Sequence, residues 1–197
     1  VSRGLGDVYK RQVYLNVSEL GMYYSSAFEI ANAVKNIRDS GKEVIAYAET
    51  YGNTSYLISS QASKVMINEY GMVNAVGFSR KREFYKDLYE NINLNFNIFV
   101  AGDFKSGPEP FTRNSMSDED KLAWNDFANP LWLKMTSMME SGRDLPIGTM
   151  QKYGDTLWEM TIENPETAEI ALELDLVDMV VTREELRQWT VSYTHLS

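Results

Sequence analysis

Apolar and polar positions along the chain change period several times, and each change marks an element. Val13 to Val17 alternates and is rich in β-branched residues, which predicts a strand. Ala27, Ile30, Ala31, Val34 and Ile37 then recur at helical spacing. They predict an amphipathic helix ending at Ser40-Gly41, where glycine suits the left-handed cap. Glu43 to Ala48 predicts a second strand, and strand, helix, strand in that order predicts a parallel pair with a right-handed crossover. The polar turn from Glu49 to Ser55 leads into a helix through about Ser63. Polar turns at the carboxyl ends of parallel strands are where α/β proteins place their chemistry. Lys64 to Asn68 predicts a third strand and Met72 to Phe78 a fourth. Phe84, Leu88 and Ile92 mark a helix, and Asn95 to Ala101 reads as a strand delivering Lys105.

In the second half, Ser117 followed by Asp118, Glu119 and Asp120 is a helix start with a capping side chain and acids in the first turn. Trp124, Phe127, Leu131, Met135 and Met138 give that helix one apolar face, read as core or subunit contact, and Pro130 is expected to kink or break it. Asn164-Pro165-Glu166 caps a helix through Leu174, which feeds a strand from Leu176 to Val181. Thr182 to Glu185 fits a capping box and starts a final helix. No repeat or low-complexity tract interrupts this order.

Both ends stand apart from it. Asp7 to Gln12 back-translates as GATGTGTATAAGAGACAG, and the reverse complement, read one frame over, encodes Val191 to Leu196. The two ends therefore resemble one short DNA element in opposite orientations, the transposon end used in sequencing-library preparation. On this reading residues 1–12 and 191–197 are scars set aside from structural reasoning. Residues 13–190 are then a domain truncated at both ends, and the final helix is cut off by the second scar.

Setting the ends aside changes the chemistry available. The single histidine, His195, lies in the tail and the chain has no cysteine. A Ser-His-Asp or Cys-His nucleophile within residues 13–190 is thereby excluded, and a zinc site with nitrogen or sulfur ligands is disfavoured. Acid or base work falls to Lys, Asp, Glu or Tyr, and no cofactor is implied. Without Arg3, Asp7, Lys10 and Arg11 the basic residues drop from 19 to 16 and the acidic ones from 28 to 27, a net charge of −11. An acidic surface argues against binding nucleic acid through its phosphates. The length favours one domain with a sizeable core. No apolar run is long enough to span a membrane, and an anchor or signal upstream of Val13 would not be seen.

The stretch that concentrates chemistry runs from Phe99 to Ser117, with Lys105 at its centre. An apolar run stops at Gly102, the lysine follows, and Pro108 and Pro110 fix the exit. Lys105 there reads as a general base whose nucleophile is not in this chain. An amine with an ordinary pKa of about 10.4 serves as a base near neutral pH only when desolvated. Phe104, Pro108, Pro110 and Phe111 are the neighbours expected to supply that desolvation, completed by a domain interface. Arg113 would oppose protonation of the lysine, and Glu109 would favour it unless paired with Arg113, the pairing their spacing suggests.

Several blocks together carry a resemblance: R-D-S-G-K (Arg38 to Lys42), E-x-Y (Glu49, Tyr51), S-Q-A-S-K (Ser60 to Lys64), F-K-S-x-x-E-P-F-x-R-x-x-M-S (Phe104 to Ser117) and A-L-E-x-x-L-V-D (Ala171 to Asp178). In this order they resemble the signal peptide peptidase A family, also called protease IV and classed as peptidase family S49. The best match is the amino-terminal repeat of its long, two-repeat form. The resemblance implies an α/β fold of the crotonase or Clp-protease type, a spiral of strand-strand-helix units. It also implies a serine peptidase on the extracytoplasmic side of the bacterial inner membrane, anchored through a segment outside this one. Such an enzyme degrades cleaved signal peptides with a serine and lysine dyad and is a homo-oligomer. In the long form the amino-terminal repeat supplies the lysine, which falls on Lys105, and the carboxy-terminal repeat supplies the serine. Aligning Tyr56 and Ser60 to Lys64 with short-form members puts Asn53 at the serine position, with Thr54 and Ser55 as neighbouring hydroxyls. Ser106, Glu109 and Arg113 are supporting or substrate-site candidates. Two alternatives stay open: a scaffold repeat without chemistry, and a crotonase-type acyl-thioester enzyme. The latter needs a glycine-rich oxyanion loop, for which Gly52-Asn53-Thr54 is a poor candidate.

Overall fold

The computed structural model describes residues 12–18, 20–99, 101–102 and 105–194, and the side chains only as far as 189. The chain divides into two compact units, one formed by the segments up to Gly77 and from Met135 onward, the other by Phe78–Lys134.

The first unit is built on parallel strands. Strand β1 (Gln12–Asn16) is followed by helix α1 (Tyr24–Asp39), strand β2 (Glu43–Ala48), the two-residue strand β3 (Tyr51–Gly52), helix α2 (Asn53–Ser59), strand β4 (Lys64–Asn68) and the two-residue strand β5 (Val73–Asn74). After the second unit's helices α3 (Lys86–Asn91) and α4 (Glu109–Thr112), helix α5 (Asp118–Gly142) returns the chain to the first unit. It is followed there by helices α6 (Thr149–Glu163) and α7 (Thr167–Glu173), strand β6 (Met179–Val181) and helix α8 (Arg183–Thr194). The main sheet has the order β1-β2-β4-β6, and β3 pairs with β5 in a separate small one; every pairing is parallel.

The central strands are buried on both faces, as parallel strands covered on each side require. Val44 through Ala48 and Val65 through Ile67 are all buried, whereas edge strand β1 keeps Tyr14 outward. On one face Ile45, Tyr47, Met66 and Val181 form a cluster that Leu186 and Trp189 cover. Helix α1 packs against α2 and β2 through Ala27, Ala31 and Val34, small residues that let the helix approach closely. Burying one Leu- or Ile-sized side chain contributes about 1.5–3 kcal/mol, so Ile45, Leu57, Ile58 and Ile67 form a substantial part of this core. Buried tyrosines tie the layers together: Tyr51 donates to the Met66 carbonyl at 2.8 Å, Tyr56 to Leu176 at 2.8 Å and Tyr153 to Val73 at 2.6 Å.

Several local signals act as expected. Gly41 takes φ 85° behind α1. Ser117 Oγ accepts from the Asp120 N–H at 3.1 Å at the start of α5. Thr182 and Glu185 exchange bonds across the capping box at 2.8 and 3.1 Å. Pro130 is the exception: the break expected there does not occur, and helix α5 runs through it as one element.

Other expectations need correction. The polar turn expected from Glu49 to Ser55 contains the short strand β3 of the second sheet and the start of α2, and α2 ends at Ser59 rather than about Ser63. The fourth strand shrinks to Val73–Asn74, and the last one to Met179–Val181. Helix α6 is an element the reading above does not contain, although Met150, Tyr153 and Leu157 recur on its buried face at spacings of three and four. Helix α8 continues to Thr194, into the tail set aside as a scar.

The largest difference lies before Lys105. Ile92, Leu94, Phe96 and Ile98 alternate with Asn91, Asn93, Asn95 and Asn97, a period-two pattern, yet no strand forms over residues 92–99. Asparagine disfavours strands, and Asn93 adopts a left-handed φ of 56°. The segment folds back instead, with Leu94 N–H bonded to the Tyr89 carbonyl at 2.8 Å. Phe96 lies 4.7 Å from the ring of Tyr89 and 5.1 Å from that of Phe111, so aromatic packing takes the place of a ladder.

Candidate functional site

The second unit carries the Lys105 segment on an ionic frame whose carboxylates are buried. Arg82 reaches several acceptors at once. Its Nη1 donates to Asp120 Oδ2 at 3.0 Å and lies 3.9 Å from Glu109 Oε2, and its Nη2 donates to the Ser106 carbonyl at 2.6 Å. The planar fork of arginine makes this possible where the single point charge of lysine would not. Arg80 adds a bond to Asp120 Oδ1 at 3.2 Å and lies over the Trp124 ring, 5.7 Å from its centroid. Glu109 accepts from the Ser117 hydroxyl and from the Ser117 N–H. Ser117 thus joins the frame to the first turn of α5 while capping it.

Charge within the frame balances, two guanidinium groups against two carboxylates. Glu109, Ser117 and Asp120 are all buried, and a buried charge is stable only when paired and hydrogen-bonded. Burial works to raise the Asp120 carboxyl, but hydrogen bonds from Ser106 and Arg80 and the charges of Arg80 and Arg82 outweigh it and hold the group below its ordinary range. A carboxylate lowered on folding contributes stability that is full above its unfolded pKa of about 3.9 and is lost as pH falls through the folded value. Urea unfolding is therefore expected to show a loss of stability between pH 5 and pH 3, with a shallower loss in Asp120→Asn. An equally steep loss in that variant would assign the acid sensitivity to other groups.

Lys105 itself is exposed, one residue before the Ser106 carbonyl that Arg82 holds, and among the described residues no carboxylate lies within ion-pair distance of it. Among the described residues, the neighbours expected to desolvate Lys105 leave it exposed. Pro108 and Pro110 are half-buried, and Phe111 packs with Tyr89 and Phe96. Phe104 lies outside the described residues. The expected Glu109–Arg113 pair is also replaced: Glu109 goes to Arg82 and Ser117, and Arg113 donates to the Ser115 carbonyl at 3.3 Å. The ladder of polar partners nearer Glu109 explains the choice, because Ser117 and Arg82 reach it from inside the unit while Arg113 is exposed. Ser106 acts through its carbonyl, which accepts from both Arg82 and the Glu109 N–H, and through its side-chain bond to Asp120.

The other candidates sit in the first unit, at the start of α2. Asn53 Nδ2 donates to the Gly77 carbonyl at 2.7 Å, and its Oδ1 is buried with no partner among the described residues. Thr54 is half-buried. The Ser55 hydroxyl accepts from the Gly52 N–H at 2.8 Å and faces the Gly52 carbonyl at 3.3 Å, so it is engaged in holding the helix start. At the carboxyl ends of β2, β4 and β6 lies a hollow of about 340 Å³ lined by Glu49, Asn68, Glu69, Tyr70 and Arg183, with Glu49 and Arg183 ion-paired.

Sequence reasoning missed Arg80, Arg82 and Asp120 as parts of the site. The available signal was the run Arg80-Lys81-Arg82, a basic cluster in an acidic chain. The motifs around the sheet turn out to brace it. Ser63 Oγ accepts from the Val44 N–H at 3.0 Å, and Gln61 donates to the Met138 carbonyl at 2.8 Å. Asp178 accepts from the Val65 N–H at 2.7 Å and pairs with Arg143 at 2.8 Å.

Comparison with known proteins matches residues 36–195 to the family described as Peptidase family S49. Protease 4 of Haemophilus influenzae is 30% identical over 161 residues, covering 80% of this chain and 26% of that protein. Protease 4 of Salmonella typhi is 28% identical over 160 residues, covering 81% and 26%. A putative protease of Synechocystis is 21% identical over 168 residues, covering 85% of this chain and 57% of its own length. The chain thus spans about a quarter of the two Protease 4 relatives.

Proposed function

Because the chain belongs to peptidase family S49, we propose that it forms the amino-terminal repeat of a two-repeat serine peptidase and supplies Lys105 as the general base. The mixed α/β architecture with its parallel sheet agrees with the crotonase and Clp-protease type of fold expected of that family. The nucleophilic serine belongs to a carboxy-terminal repeat of the same protein. The substrates are cleaved signal peptides, and the full protein is a homo-oligomer on the extracytoplasmic side of the bacterial inner membrane. Among the described residues no helix is long and apolar enough to cross a membrane, so the anchor lies elsewhere in this reading.

The observation that carries the proposal is the placement of Lys105 immediately before residues whose carbonyls the half-buried Arg82 holds. A lysine amine can take the proton of a serine hydroxyl as it attacks the peptide carbonyl, then return it to the leaving amine. For that the amine must lose its water, and the second repeat or the bound peptide would cover it.

Labelling tests this directly. In the full-length protein a fluorophosphonate probe is expected to modify one serine outside residues 13–190, as mapped by peptide mass spectrometry. The isolated chain is expected to stay unlabelled. Labelling of the isolated chain at Thr54 or Ser55 would move the nucleophile into this repeat and overturn the composite site. The exposure of Lys105 is what favours the second reading, a scaffold repeat without chemistry; that reading predicts probe labelling and peptidase activity indifferent to position 105.

A further inference from the structure

We propose that Arg82 is a positioning residue for Lys105, fixing the backbone that follows the lysine and withholding Glu109 from it; this rests on the reading of Lys105 as the base. Two contacts carry the first part. Nη2 of Arg82 donates to the carbonyl of Ser106 at 2.6 Å and lies 3.4 Å from that of Gly107. These carbonyls belong to the two residues immediately after the lysine, in a segment whose regular structure begins only at α4. Glycine at 107 brings no side chain to hold its own conformation, so a side-chain clamp supplies what the local sequence does not.

The second part follows from the chemistry of a base. A carboxylate beside an amine favours the protonated form, which cannot accept a proton. Glu109 is the nearest acid in the sequence to follow Lys105, yet it faces inward, accepting from Ser117 and lying 3.9 Å from Arg82. Asp120, the other acid of the frame, is held by Arg80 and Arg82. The frame therefore contains two acids close in the fold to the Lys105 loop and neutralises both from within. One arginine performs both tasks because its fork reaches the loop carbonyls with one nitrogen and the acids with the other.

The test uses the full-length protein carrying Arg82→Met, Arg82→Lys, Ser117→Ala or Lys105→Ala, with kcat and KM measured on a peptide substrate and the folded fraction by circular dichroism. Arg82→Met is expected to lower kcat per folded molecule by about 10² with KM little changed, since a misplacement near 1 Å costs that much. Arg82→Lys is expected to recover only part of it, and Ser117→Ala to give a smaller fall in kcat. A merely structural role would reduce the folded fraction and leave kcat per folded molecule alone. If Arg82→Met does not fold, Arg82→Lys and Ser117→Ala decide: unchanged kcat in both overturns the inference. Should Lys105→Ala abolish activity while every frame variant keeps wild-type kcat, the positioning role alone fails. Full activity in Lys105→Ala would instead remove the base itself, and with it anything Arg82 could position.

Discussion

Lys105→Ala in the full-length protein is expected to lower kcat/KM by about 10³-fold, within the range of a lost general base, without a measurable change in thermal stability. The two halves of this expectation rest on different observations. The lysine side chain is exposed and makes no ion pair among the described residues, so its removal costs the fold little. The segment contains no histidine or cysteine, and Glu109 of the same motif is buried against Ser117 and Arg82, which leaves the amine as the base of this proposal. Lys105→Arg would keep the charge and the length and still be inactive, since a guanidinium does not give up its proton. Steady-state kinetics on a chromogenic peptide, with melting curves on the same samples, decides it. Retained activity in Lys105→Ala would leave the scaffold reading standing.

The second large effect concerns stability. Gly71→Ala is expected to cost about 3 kcal/mol or more, beyond the usual range for an overpacked methyl. A Cβ at this position would lie 2.2 Å from the Glu49 carbonyl oxygen, 2.7 Å from Ile67 Cγ1 and 2.9 Å from the Asn68 carbonyl oxygen. Two of these three atoms are backbone and cannot rotate away. The surrounding chain is also fixed, with Gly71 N–H bonded to Asn68 at 2.8 Å and its carbonyl accepting from Thr167 Oγ1 at 2.7 Å. For a chain of this size such a loss corresponds to a fall in Tm of about 6–12 °C. Gly21→Ala, where nothing lies within 4 Å, serves as the control and is expected to be neutral. Urea unfolding of the two variants side by side measures the difference, and comparable stabilities would mean that the β4–β5 turn yields more easily than its contacts imply.

How much of this was legible in the sequence depended on whether an element's partners were local. Strands β2 and β4 lie where their apolar runs place them, because a strand buried on both faces needs no alternation to be recognised. The caps at Gly41, Ser117 and Thr182 are decided within three or four residues and were equally readable. The strand read from Asn95 to Ala101 does not form over Asn95 to Phe99, because alternation alone cannot say whether a pairing strand exists, and here Phe96 meets rings from α3 and α4 instead. The site divides in the same way. Lys105 stood out through its motif, but the frame beneath it joins Arg82 to Asp120 across 38 residues and to Ser106 across 24. No periodicity or spacing rule links residues so far apart, and only the folded chain shows that Glu109 turns to Arg82 rather than to Arg113.

The strand order has a consequence for how the chain is made. Strands β1, β2 and β4 are adjacent in the sheet and come from residues 12–68, whereas β6 joins β4 from residues 179–181. The bond from Val65 N–H to Asp178 closes a loop of 113 residues, and the whole second unit lies inside it. Contacts that distant form late, since the entropy of closing the loop must be overcome before they add stability. During synthesis the three early strands are complete while the ribosome is still adding the second unit. Until Met179–Val181 emerges, the β4 edge and the cluster of Ile45, Tyr47 and Met66 wait without the partners that cover them. That interval is when a nascent chain of this fold is most open to mispairing with a neighbour and to capture by a chaperone.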